Sequence, residues 1–252
     1  MLIRPGRRAA PMAMRVAAAA IVLGAIGVGA NMLMPRVPAP SIYKTAIGGR
    51  EVLSLADGSK IELNTDTEVR IAGDAKGRKI SLEKGEAFFQ IKHDPSREFV
   101  VLAGNRRIVD LGTKFIVRRD ADKLEVSLLE GRARLEAPND ADGPKSIELE
   151  PGDMAVAKAN QTTLWKKPVA AIADTLAWRK GLLVFDETPL ADVAAEFNRY
   201  NRKQLIVVGD AARKLAIGGH FQADNVETFA RVAQGTLGLH VENKPDEIII
   251  TR

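Results

Sequence analysis

Ile80-Ser81-Leu82-Glu83-Lys84-Gly85-Glu86-Ala87-Phe88-Phe89-Gln90-Ile91 carries the pattern that decides the fold. Two short apolar runs flank Lys84-Gly85, and glycine reaches positive φ without steric cost, so the stretch reads as strand, turn, strand. The same unit returns on both sides. Residues 52–55, Asp57-Gly58 and residues 60–63 form one copy; residues 126–129, Glu130-Gly131 and residues 132–135 form another. Residues 147–149, Pro151-Gly152 and residues 154–157 form a further copy. A strand–turn–strand unit recurring without long helical periodicity predicts a mainly β domain over residues 43–160, either a sandwich or a solenoid-like stack.

The pattern then changes. Residues 161–180 read as a connector whose alanine-rich part, 169–178, is a short helix. From residue 181 the order is strand (182–185), helix (189–200), strand (204–208) and strand (215–221). A second helix, capped by Asp224 or Asn225, and a closing hairpin over 237–241 and 247–251 follow. Pro189 suits a first helical turn, and Leu190, Val193, Ala194 and Phe197 fall on one face. In the second helix the apolar positions are Val226, Phe229, Ala230 and Val232. The order predicts a small α+β domain, βαββαββ, with helices against one sheet face over residues 181–252.

The N-terminus is of a different kind. Residues 16–35 carry no charge and, at the helical rise, would span about 30 Å, the thickness of a hydrocarbon core. Arg4, Arg7, Arg8 and Arg15 precede this run and Arg36 follows it, which orients a short tail (1–15) to the cytoplasm. Val28-Gly29-Ala30 also fits a signal-peptide cleavage site. Both readings, anchor or cleaved signal, export the rest beyond a linker at 36–42. Removing those five arginines from the 37 basic residues leaves 32 against 32 acidic ones, so the net charge of +5 belongs to the N-terminus. A nucleic-acid partner, which needs a localised basic footprint, is not expected.

The chemistry-bearing residues do not converge. Cysteine is absent, and His93, His220 and His240 lie on separate predicted elements without metal-ligand spacing. His93-Asp94 reads as a turn before Pro95. No nucleophile elbow, zinc helix or phosphate loop occurs. We expect no catalytic residues, no metal and no cofactor.

Several segments resemble the FecR family of transmembrane regulators. They are Leu55-Ala56-Asp57-Gly58-Ser59, Gly85-Glu86-Ala87-Phe88-Phe89, and the run from His93-Asp94 to Phe99-Val100-Val101. Leu111-Gly112-Thr113-Lys114-Phe115, Leu129-Glu130-Gly131, Pro151-Gly152-Asp153 and Trp178-Arg179-Lys180-Gly181 follow in order. The final part is similar to the small secretin-and-TonB N-terminal fold. The resemblance implies a single-pass inner-membrane protein with its C-terminal domains in the periplasm. It implies contact with the signalling domain of a TonB-dependent siderophore receptor, control of an extracytoplasmic-function sigma factor, and an intramembrane or periplasmic protease. The tail at 1–15 is shorter than the family's cytoplasmic helical domain, so the sigma-binding half is expected to be missing.

For the receptor contact the candidates are Trp178, Leu182, Val184, Phe185, Leu190, Ile217 and Phe221, on strands whose edges an extended partner could extend. The bland reading makes the same residues core, with Trp178 packed where two domains meet. The competing function is an exported module that binds a ligand or the cell wall without a sigma-factor partner. A composition of only 5% aromatic residues gives such a module little to stack on sugar rings.

Overall fold

The computed structural model describes residues 40–72, 78–110, 112–137 and 146–252. The expected tail and membrane helix lie outside these residues. Among the described residues, no helix is long and apolar enough to cross a membrane.

The first part is built from strands, as expected. In chain order they are β1 (Ser41–Lys44), β2 (Glu51–Ser54), β3 (Lys60–Leu63), β4 (Glu68–Ile71), β5 (Lys79–Gln90), β6 (Phe99–Ala103) and β7 (Arg106–Asp110). Then come β8 (Lys114–Asp120), β9 (Lys123–Glu130), β10 (Ala133–Glu136), β11 (Ser146–Leu149), β12 (Asp153–Lys158) and β13 (Gln161–Lys166). They form two sheets, β1-β4-β5-β6-β7-β10-β11 and β2-β3-β5-β8-β9-β12-β13, joined through β5. Side chains alternate along each strand, so each sheet turns one face inward. Leu82, Phe99, Ile108 and Leu135 from the first sheet meet Ile61, Phe89, Phe115 and Leu128 from the second in one buried core. Phe89 stacks on Phe115 at 4.9 Å and meets Phe99 edge-on at 6.4 Å. Such a core between two sheets is that of a sandwich.

Of the four glycine turns, one is a hairpin. Asp57-Gly58 joins β2 to β3, with the Ser59 N–H donating to Asp57 Oδ1 at 2.8 Å. At Lys84-Gly85 the chain does not turn back: β5 runs on for 12 residues. Its first half pairs with β4 and β6 in the first sheet (Leu82 opposite Val69), and its second half with β3 and β8 in the other (Phe89 opposite Ile61 and Phe115). Gly131 likewise carries the chain from β9 to β10, and Gly152 from β11 to β12, each time into the opposite sheet. A glycine between two apolar runs marks a sharp change of direction, and a step between sheets needs one as much as a hairpin does. At Gly85 the need is steric as well, because an added Cβ would lie 2.6 Å from Thr67 Cα and 2.8 Å from the Asp66 carbonyl oxygen.

Residues 161–166, expected in the connector, are β13, the edge strand of the second sheet, paired with β12 from Asp153–Lys166 to Lys158–Gln161. Helix α1 (Val169–Asp174) and a 3-10 turn (Thr175–Lys180) then lead to the C-terminal domain. This holds β14 (Leu182–Pro189), α2 (Leu190–Tyr200), β15 (Gln204–Val207), α3 (Asp210–Arg213), β16 (Ala216–Gln222), α4 (Val226–Leu237), β17 (His240–Asn243) and β18 (Glu247–Thr251). The single expected sheet is instead two: antiparallel β14-β16, and β15-β18-β17 with a parallel β15–β18 pair. Helix α2 packs against strands of both, which is why one amphipathic stripe sufficed to predict it.

In α4 the buried face is Val226, Phe229, Ala230 and Ala233, whereas Val232 is 46% exposed. Leu237 closes the helix rather than opening the last hairpin, because Gly238 takes φ 64 as its left-handed cap. Asn225 is the N-cap, accepting from the Thr228 N–H at 3.1 Å. Asn225→Ala is therefore expected to cost about 0.5–2 kcal/mol in urea unfolding. An unchanged midpoint would show that α4 is held by packing alone.

Candidate functional site

The outward face of the second sheet is not left to solvent where β5 and β8 run side by side. Inward Ala87, Phe89, Phe115 and Val117 alternate with outward Glu86, Phe88, Ile116 and Arg118, and the register sets Phe88 opposite Ile116 and Glu86 opposite Arg118. Phe88 and Ile116 belong to the core of the C-terminal domain, with Ile172, Trp178, Leu183, Phe185 and Phe197. The two domains therefore share hydrophobic packing.

Beside this apolar patch lies a buried charge cluster. Arg199, at the end of α2, bonds Glu86 at 2.8 Å and Glu196 at 2.5 Å; Glu196 in turn bonds Arg118 at 2.9 Å. The side chains of Arg199 and Glu86 are only 14% and 7% exposed. Tyr200 Oη accepts from Asn64 Nδ2 at 2.7 Å, and Thr65 Oγ1 donates to the Arg199 carbonyl at 2.8 Å. On the other side of Phe88, Arg179 forms a bidentate pair with Glu62 at 2.7 and 2.6 Å and lies 5.0 Å over the Phe88 ring. Arg50 Nη1 donates to the Trp178 carbonyl at 2.6 Å.

Burial sets the electrostatics. It pushes the Glu86 carboxyl above its ordinary value, and the Arg199 guanidinium only partly restores the charged form. Burial pulls Arg199 down, but the carboxylates of Glu86 and Glu196 outweigh it and hold the proton more firmly than usual. The Tyr200 hydroxyl is raised by burial and by Glu86.

The sequence-chosen residues sit on the C-terminal side of this seam. Trp178, Phe185, Leu190 and Ile217 are buried. Phe185, Phe197, Phe221 and Phe229 form an aromatic cluster with centroids 4.8–6.3 Å apart. Leu182, Val184 and Phe221 are half-buried, and the first two line a cleft of about 200 Å³ with Arg118, Glu125 and Met154. His220 and His240 fall on different sheets. Asp94 stands in a turn, accepting from Ser96 Oγ at 2.6 Å and from Arg97 Nε at 2.7 Å; these bonds, the serine's first, lower its carboxyl to about 2. Among the described residues no group of three His, Asp or Glu is placed to hold a metal ion. Sequence reasoning missed the charge cluster, whose only trace is a Glu and an Arg in strands otherwise rich in apolar residues.

A β-sandwich is thus joined to a small α/β part through a buried polar seam. Residues 41–134, from β1 into β10, match the model of the family described as FecR protein. Among curated proteins no significant match is found. The fold is similar to that of two crystal structures described as a candidate anti-sigma factor from Parabacteroides distasonis. One shares 19% identity with a TM-score of 0.68, covering 84% of this chain and 99% of that one. The other shares 20% identity at the same TM-score, covering 83% and 98%.

Proposed function

We propose that this chain is a signal-relay protein that regulates an extracytoplasmic-function sigma factor through protein–protein contact. The match of residues 41–134 to the FecR family model is the observation that carries this reading. In it, residues 16–35 tether the chain in the bacterial inner membrane and both domains lie in the periplasm. The C-terminal domain receives the signalling domain of a TonB-dependent receptor, and a protease relieves control of the sigma factor.

The fold supports a contact on the β14-β16 sheet. Each of these strands pairs only with the other among the described residues, so each has one ladder edge without a strand partner. Half-buried Leu182, Val184 and Phe221 would touch the receptor segment, with Trp178, Phe185, Leu190 and Ile217 as the packed layer beneath. The seam would then carry a displacement of the C-terminal domain to β5 and β8, since Arg199 and Glu196 grip Glu86 and Arg118 directly.

The test is capture of the detergent-solubilised full chain on immobilised N-terminal signalling domains of TonB-dependent receptors from the same organism. Retention by at least one of them is the expected result, weakened at least tenfold by Val184→Pro. Failure of the folded chain to bind any receptor, together with a thermal shift on adding a glycan or siderophore, would replace the relay by an exported ligand-binding module.

A further inference from the structure

A second feature lies among the hairpin turns, away from the seam. The β6–β7 turn (Gly104-Asn105), the β8–β9 turn (Ala121-Asp122) and the β12–β13 turn at Ala159 surround a pocket of about 240 Å³. Arg106 and Arg119 line it. We infer that this pocket binds a small oxyanion, a phosphate or a carboxylate group, between Arg106 and Arg119; the inference does not depend on the relay function.

The case starts from Arg106, which is 3% exposed. Its Nη1 donates to Thr162 Oγ1 at 2.9 Å and its Nη2 to the Ala159 carbonyl at 3.1 Å, both neutral acceptors. Among the described residues no carboxylate forms an ion pair with it, and its Nε has no partner. An arginine keeps its proton even when buried, so the charge stays and calls for a counter-ion. Burial lowers its proton affinity. Leaving a cation uncompensated in a protein interior is costly.

The surroundings leave room for an anion. Gly104 has no side chain to cover the site: a Cβ there would stand 3.6 Å from both Nε and Nη2 of Arg119. Arg119 donates to the Leu82 carbonyl at 3.0 Å and is 3.8 Å from Glu83, a long contact that leaves much of the guanidinium fork unused. Lys123 adds a third positive charge but is paired with Glu125. Asp122 is the one carboxylate of the lining; it is exposed and forms no ion pair among the described residues. Planar guanidinium forks match the two oxygens of a carboxylate or phosphate, and the volume exceeds the ~30 Å³ share of a single water several-fold.

The experiment is thermal unfolding of the full chain in detergent, titrated with inorganic phosphate or with acetate while chloride holds the ionic strength constant. A saturable rise of about 2–4 °C with at least one of them is expected. Phosphate alone, or acetate alone, identifies the group. Arg119→Gln should abolish the response. Asn105→Asp, which places a carboxylate in the turn without touching the core, should raise the unfolding temperature without added anion and blunt the titration. No saturable rise with either anion, or a rise that survives both substitutions, overturns the proposal.

Discussion

Gly85→Ala is expected to lower the stability of the β-sandwich by roughly 2–5 kcal/mol, a fall of about 4–20 °C in unfolding temperature for a chain of this size. Two independent effects add. The residue stands at φ +87, where a side chain costs about 1–2 kcal/mol. Its Cβ would also press on backbone atoms of Asp66 and Thr67, which cannot rotate away, and overpacking of this kind costs about 1–3 kcal/mol. Gly58→Ala is the control. It has the same φ of +87, but its Cβ would meet only the flexible end of Lys92 at 3.4 Å, so the first effect alone should remain. Equal losses for the two substitutions, measured by calorimetry, would show that the close approach of β5 to Thr67 carries no energy of its own.

Arg199→Met is expected to cost about 3–5 kcal/mol at pH 7.5, because it strands the Glu86 carboxylate in the seam. The pH dependence has a definite sign. Burial already raises the Glu86 carboxyl in the folded protein, and removing Arg199 takes away a partner that lowers it. A group raised on folding contributes stability that is fully present below its unfolded value, about 4.3, and is lost as pH rises through the folded value. The deficit of Arg199→Met should therefore shrink as pH falls toward 4.5 and grow as it rises. Glu86→Gln alone leaves Arg199 with Glu196 and should be far milder, and added to Arg199→Met it should recover most of the loss. A deficit that is flat with pH, or not relieved by Glu86→Gln, would mean that the cluster merely fills space.

Both predictions rest on features that differ in how far the sequence exposes them. Alternation about Asp57-Gly58, the stripe of α2 and a cap at Asp224 or Asn225 depend on neighbours a few residues away, so they could be read directly. The glycine at 85 was equally visible, yet its role was not. Hairpin and sheet-to-sheet step share one local signature, and the difference is which distant strand each half of β5 pairs with. Val232 misled in a similar way, since an apolar residue on a helix is buried only if something packs over it.

The candidate site divides along the same line. Phe185, Leu190, Ile217 and Trp178 are apolar residues on predicted elements, and that property takes them into the core. The charged residues of the seam could not be chosen, because Glu86 and Arg199 are 113 positions apart and become partners only when the outward face of β5 meets the end of α2. Arg106 likewise looks like any strand arginine until three turns close over it. By itself, the sequence determined the element types along most of the chain and the order of a β-rich part before a mixed α/β part, because these follow from periodicity and turn chemistry along the chain. Only the tertiary structure decided how the strands divide between two sheets, which charges are buried together and which cation is left without a counter-charge, because pairing and desolvation are set by residues remote in sequence.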